Sequence, residues 1–205
     1  MSQRPFSVCV YCGSRSGTQP EFAQAAQHCG ESIGQRGWSL VYGGGHCGLM
    51  GLIADAALKQ GSHVVGVIPT RLLDKELAHG GVSELHVVNT MHERKQRMAE
   101  HADAFVTLPG GIGTLEEMFE TWTWHQLGYH SKPIGLLNTN GYFDDLIRFI
   151  ERSQTDGFLW PDVQDMLLID TDIDRLLDRL HAASVATSLS ASAQAPQATM
   201  DLSDT

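Results

Sequence analysis

Three glycine-rich turns, an adjacent pair of cations and a cluster of carboxylates are the residues whose types and spacing suit chemistry. The turns are Tyr11-Cys12-Gly13-Ser14-Arg15-Ser16-Gly17, Gly43-Gly44-Gly45-His46-Cys47-Gly48-Leu49-Met50-Gly51 and Pro109-Gly110-Gly111-Ile112-Gly113-Thr114. Glycine adopts positive φ and lets backbone N–H groups approach a ligand with no Cβ in the way. A helix that starts after such a turn adds unpaired N–H donors and a partial positive charge, which suits phosphate. Arg94 and Lys95 supply the cations; Glu116, Glu117 and Glu120 supply the carboxylates. Beside a sugar phosphate, an ionised carboxylate can stabilise an oxocarbenium-like centre or activate a water, as N-glycosidic cleavage requires. An Arg there can fix the ribose or phosphate, or help a departing base accept charge. Nucleotide binding without turnover uses the same turns, so chemistry alone leaves both open. A nucleophile–base triad has no support, because Ser14 lies in no G-x-S-x-G elbow.

Those residues need elements to position them. Near-continuous apolar runs at 7–11, 40–42, 63–68, 85–88, 104–108 and 134–137 read as strands buried on both faces of a parallel sheet. Amphipathic segments at 21–35, 49–60, 92–101, 114–127, 142–153 and 173–183 fit between and after them as helices. This alternation predicts an α/β fold: a Rossmann-like, doubly wound parallel sheet in a single domain. Ligands of such sheets bind beyond the carboxyl ends of the strands. The three glycine turns fall there, after the first, second and fifth strands.

Each signal also has a plainer reading. Gly43-x-Gly45-x-x-Gly48 matches a dinucleotide fingerprint by letter, but it follows the second strand. The next strand closes on Pro69-Thr70 and brings no ribose-binding acid. Phosphate contact and a plain tight turn both stand. The turn at 109–114 lacks the Lys-Ser/Thr pair of a P-loop and reads equally as a turn or an anion site. On helix 114–127, Leu115, Met118, Phe119 and Trp122 share one side and form the expected core stripe. Glu117, Glu120, Thr121 and Trp124 share the opposite side. A Trp beside carboxylates there predicts contact with another subunit, the carboxylates buried in the join. The alternative is an ordinary charged face whose first-turn acids favour the helix dipole. Around helix 92–101, Met91, Met98 and Ala102 mark the apolar side, and Arg94 and Lys95 lie on it. Inward cations are costly unless an anion meets them. They call for a ligand anion or a catalytic carboxylate, or else they snorkel into a structural salt bridge.

Composition bounds the partners. Of 205 residues, 14 are Lys or Arg and 24 Asp or Glu, a formal charge of -10. That excludes nonspecific nucleic-acid binding, which needs surplus cations, and leaves a small phosphorylated ligand open. Glycine totals 21, and ten of these lie in the three turns. No apolar stretch nears the roughly 18 residues of a membrane-spanning helix, so no membrane partner is expected. The early apolar run is too short and too late for a signal peptide, which makes the cytoplasm the expected compartment. Cys9 and Cys12 have metal or redox spacing, but residues three apart in a strand point to opposite faces, and no second pair exists. Free thiols and no metal are expected. From Ala182 the chain is mainly Ala, Ser, Thr and Gln with no Lys or Arg. This predicts a catalytic domain over 1–181 and a disordered tail over 182–205.

Several segments together resemble one family. They are the second turn, Met91-His92-Glu93-Arg94-Lys95, Pro109-Gly110-Gly111-Ile112-Gly113-Thr114-Leu115-Glu116-Glu117, Trp124-His125-Gln126-Leu127-Gly128 and Lys132-Pro133-Ile134-Gly135-Leu136-Leu137-Asn138. The chain is similar over 6–180 to the LONELY GUY (LOG) family, cytokinin riboside 5′-monophosphate phosphoribohydrolases. P-G-G-x-G-T-x-x-E with an upstream R-K is specific to that superfamily. The resemblance implies a homodimer, with its active site near the interface, that takes a nucleoside 5′-monophosphate. It would release free base and ribose 5-phosphate from N6-modified AMP, and from AMP itself, without a cofactor. Arg94 and Glu117 are implied as catalytic. Glu76, Lys95, Gly110, Gly111, Ile112, Gly113, Thr114, Leu115, Glu116 and Thr123 are implied to bind substrate. Gly13, Ser14, Gly44, Gly45, Met50, Met91 and Glu120 complete the expected set. The family was widely labelled lysine decarboxylase. That chemistry needs a pyridoxal-binding Lys with supporting groups, and Lys59, Lys75, Lys95 and Lys132 show no such context. The rival is a non-catalytic carrier of a nucleotide or phosphorylated pterin, like a molybdenum-cofactor carrier. A carrier needs the turns but not Arg94 with Glu117, and both are present.

Overall fold

Seven strands alternate with eight helices in the computed structural model, which describes residues 4–76 and 78–193. The strands are β1 (Ser7–Tyr11), β2 (Ser39–Tyr42), β3 (Val64–Pro69), β4 (Glu84–Val88), β5 (Ala104–Thr107), β6 (Ile134–Leu137) and β7 (Leu167–Asp170). The helices are α1 (Pro20–Gln35), α2 (Gly48–Lys59), α3 (Thr70–Glu76), α4 (Met91–His101), α5 (Ile112–Gln126), α6 (Asp144–Thr155), α7 (Pro161–Asp165) and α8 (Ile173–Ala193). The six expected strands are all present with bounds within one residue. The apolar-run reading missed β7, a four-residue strand at the sheet edge with two of its residues only half-buried. It also missed α3 and α7, of seven and five residues, which are too short to show a helical period.

The sheet is entirely parallel in the order β4-β3-β2-β1-β5-β6-β7. β1 lies inside it: Cys9 pairs with Val41 on one side and with Phe105 on the other. The chain winds outward through β2, β3 and β4, then returns to build β5, β6 and β7 beyond β1. The winding direction reverses between β1 and β5, where such sheets take their ligands.

Side chains alternate across the sheet and feed two cores. Val8, Val10, Leu40 and Tyr42 pack under α1, α2 and α8. Cys9, Tyr11, Val41 and Phe105 pack on the other face with Met98 of α4 and Met118 and Trp122 of α5. Cys9 and Cys12 therefore enter opposite cores as free thiols. Gly30 lets α1 and α2 close on each other, since a Cβ there would stand 2.4 Å from the Ile53 carbonyl oxygen.

α8 corrects the expected tail. Leu176, Leu177 and Leu180 anchor it on the sheet, and it continues past Ala182 to Ala193. Residues 182–193 hold no Gly or Pro, and their Ala and Leu favour a helix. Thr187, Ser188 and Ser190 donate their hydroxyl protons to carbonyls four residues earlier, so their polarity is absorbed by the helix itself. A composition poor in buriable residues limits packing, not helicity. The remainder of the expected tail, 194–205, lies outside the described residues.

Candidate active site

The three glycine turns meet at the β1–β5 switch. The Gly13 N–H donates to the Pro109 carbonyl at 3.1 Å, and the Gly13 carbonyl accepts from the Leu49 N–H at 3.0 Å. Gly48 takes φ +62°, and a Cβ there would stand 2.4 Å from the Arg15 nitrogen. Only glycine allows the first and second turns to touch this closely. α5 begins at the third turn, with Gly111 as its extended N-cap and no side chain capping it. Its first N–H groups remain available to an anion.

A cavity of about 480 Å³ opens beside these turns. Of the expected site residues, it is lined by Gly13, Ser14, Met50, Met91, Arg94, Gly110, Gly111, Ile112, Gly113, Thr114 and Glu117. Cys12, Arg15, Ser16, Gly17, Phe22, Leu49, Pro109 and Tyr142 also line it and were not in the expected set. Tyr142 donates its hydroxyl proton to the Gly110 carbonyl at 2.7 Å, and its ring stands edge-on to Phe22 at 5.3 Å. It follows β6, whose carboxyl end neighbours that of β5. Extending the strand-end rule to the sixth strand was the signal that would have found it.

Arg94 and Glu117 come together at this cavity. Thr90 caps α4 by accepting the Glu93 N–H at 3.1 Å, and the Glu93 carboxylate accepts the Asn89 N–H at 2.9 Å. This reciprocal cap fixes the first turn of α4. Arg94 then points inward, 5% exposed; its Nε donates to the Val67 carbonyl at 3.0 Å and Nη2 to the Gly43 carbonyl at 2.8 Å. Its Nη1 lies 3.6 Å from Oε1 of Glu117, itself only 9% exposed. A carboxylate taken this far from water needs a compensating cation, and Arg94 supplies it.

The inward face of α5 is turned by about a quarter from the expected one. Thr114, Glu117, Met118, Thr121 and Trp122 are buried, while Phe119 is exposed. Polar partners wait beneath α5: Arg94 for Glu117, and the Tyr11 hydroxyl, 2.9 Å from the Thr121 hydroxyl, for Thr121. A stripe drawn through apolar residues alone gives those places to Leu115 and Phe119. Glu117 is thus buried inside its own chain, and the expectation that a subunit join buries it is corrected. Trp124 is half-buried, edge-on to His92 with ring centroids 6.4 Å apart.

The two inward cations divide the alternatives between them. Arg94 meets the candidate catalytic carboxylate, whereas Lys95 forms a salt bridge with Glu116 and, at 2.7 Å, with Glu120. Burial works against the Lys95 charge, but these two carboxylates prevail and hold its pKa above the ordinary value. Lys95, Glu116 and Glu120 stand off the cavity, as do Leu115 and Thr123. The Thr123 hydroxyl donates to the Phe119 carbonyl at 2.7 Å. Gly44 packs against Val67 and Ile68 of β3, and Gly45 bridges to Ala78, so both turn away from the cavity. Glu76 ends α3, and its side chain lies outside the described residues.

Fold and site together define a Rossmann-like α/β protein with a glycine-walled cavity and a buried Arg–Glu pair at its switch point. Residues 50–180 match the family model described as "Possible lysine decarboxylase". The chain is 44% identical over 173 residues to the Arabidopsis thaliana cytokinin riboside 5′-monophosphate phosphoribohydrolase LOG1, covering 84% of this chain and 81% of that one. It is 45% identical over 175 residues to LOG5 of the same plant, covering 85% of this chain and 77% of the relative. The chain belongs to the LOG family. Among solved structures, a molybdenum cofactor binding protein from Rippkaea orientalis superposes with a TM-score of 0.67 at 19% identity, over 88% of this chain and 98% of that one. At that identity the likeness is one of fold. No described lysine lines the cavity.

Proposed function

We propose that the chain hydrolyses the N-glycosidic bond of a cytokinin riboside 5′-monophosphate, an N6-modified AMP, to free base and ribose 5-phosphate. The reading rests on Glu117, paired with Arg94 on a cavity that also holds the α5 N-terminus and the glycine turns. Turn and helix N–H groups hold the phosphate. The Glu117 carboxylate faces C1′ and stabilises the positive charge that grows there, or takes a proton from the attacking water. The C1′–N9 bond breaks, its electron pair leaves with the base, and the water oxygen bonds to C1′. The base picks up a proton as it departs. Arg94 keeps Glu117 in place and orients the sugar phosphate. The relatives' names supply the cytokinin substrate, and AMP carries every group this scheme uses. The test is chromatographic release of free base from AMP and from N6-isopentenyladenosine monophosphate. Binding of both with no base released would leave the carrier reading instead.

The working unit in this proposal is a homodimer joined on the outer face of α4 and α5, close to the cavity. Met91, Phe119 and Leu127 are exposed there, beside half-buried Trp124. Apolar groups of this size on one face commonly mark a protein contact. Equilibrium sedimentation is expected to return about twice the 22.4 kDa chain mass; a mass near one chain would remove the dimer. The cytoplasm is the proposed compartment. Cys9, Cys12, Cys29 and Cys47 are free thiols, which suits a reducing environment.

A further inference from the structure

We infer that Arg15 is the residue that selects nucleoside 5′-monophosphates over nucleosides, its guanidinium contacting the substrate's 5′-phosphate. The inference rests on the proposed hydrolase reading for its substrate class, and on the charge inventory of the cavity for its residue. Among the described residues, three charged side chains line the cavity: Arg15, Arg94 and Glu117. Arg94 is spoken for by the Val67 and Gly43 carbonyls and by Glu117. The Arg94–Glu117 pair is neutral as a unit, so among the described lining residues the net side-chain charge is that of Arg15. Arg15 is exposed, and no described residue forms an ion pair or side-chain hydrogen bond with its guanidinium. Lys95, the other inward cation, is committed to Glu116 and Glu120.

The ligand would need that charge. The chain carries -10 overall, and a phosphate monoester carries nearly two negative charges near neutral pH. Backbone N–H groups and a helix end offer partial charges only. An Arg side chain can meet phosphate oxygens with two parallel N–H donors. The base of Arg15 is also held in place. A Cβ on Gly48 would stand 2.4 Å from the Arg15 nitrogen and 2.6 Å from its Cα, and one on Gly13 would stand 2.9 Å from its carbonyl oxygen. The backbone is packed from two sides while the side chain stays free to reach the cavity. The same first turn offers Ser14 and Ser16 to the cavity.

The test compares AMP with adenosine, by calorimetric binding to the full chain carrying Glu117→Gln to hold back turnover, with Arg15 kept, Arg15→Ala or Arg15→Lys. Loss of a charge-assisted contact predicts that Arg15→Ala binds AMP about 10- to 100-fold more weakly. Adenosine binding should stay within about twofold, and Arg15→Lys should fall between the protein that keeps Arg15 and Arg15→Ala. The preference for AMP with Arg15 kept should also shrink as salt is raised, and do so less in Arg15→Ala. AMP affinity unchanged in Arg15→Ala, or adenosine weakened as much as AMP, would overturn the assignment. Because Glu117→Gln holds back turnover, the readout is binding alone. A native protein that binds AMP through Arg15 without cleaving it would defeat the hydrolase reading and keep this one.

Discussion

Glu117→Gln is expected to lower turnover of a nucleoside 5′-monophosphate by about 10²- to 10⁴-fold while the nucleotide still binds. The amide matches the carboxylate in size, so Met118, Thr121 and Trp122 on the buried face of α5 should keep their packing. What it removes is the negative charge near C1′ and the basic oxygen that a water would need. Arg94 keeps both carbonyl partners in the variant, so the cavity wall should hold. Base release measured beside AMP affinity separates the two effects: turnover falls and affinity moves little. Full turnover in Glu117→Gln would take the catalytic role from Glu117.

Arg94→Ala should damage both folding and catalysis. Breaking a buried ion pair by deleting one partner costs about 3–5 kcal/mol, because the other charge stays buried without compensation. Here the deletion also strands the Val67 and Gly43 carbonyls that Arg94 satisfies at 3.0 and 2.8 Å. For a chain of this length, the melting midpoint should fall by about 10 °C. Adding Glu117→Gln to Arg94→Ala should restore part of the loss, since the uncompensated charge disappears. That recovery separates ion-pair loss from simple loss of bulk. An Arg94→Ala protein that melts with the native one would show that the pair does not hold this part of the fold together.

The parallel sheet was legible because strands buried on both faces read as unbroken Val, Ile and Leu runs; the place where its winding reverses was not. The glycine turns were legible for a related reason, since glycine marks backbone contacts too close for a Cβ, as at Gly48. The inward direction of Arg94 and Lys95 followed from their sharing a side with Met98 and Ala102. Their partners did not follow. Periodicity ranks residues by apolarity, so it placed Phe119 inside and Glu117 outside on α5. It could not know that Arg94 and the Tyr11 hydroxyl occupy the space beneath. Gly44 and Gly45 looked like part of the phosphate cradle, yet Gly44 packs on β3 and Gly45 bridges to Ala78. Tyr142 went unread because its role depends on β6 lying beside β5, which is a fact of sheet order. The helical stretch 182–193 was misjudged because low hydrophobicity was taken to mean disorder, although Ala and Leu hold a helix without a core.

One mass balance addresses the hydrolase reading most directly. The full chain, in molar excess, is mixed with N6-isopentenyladenosine monophosphate, quenched over time, and separated into nucleotide, free base and ribose 5-phosphate. The expected result is complete loss of nucleotide, with base and ribose 5-phosphate appearing in a one-to-one ratio, and with the Glu117→Gln protein leaving the nucleotide intact. Quantitative recovery of intact nucleotide from the native protein–nucleotide complex would contradict it.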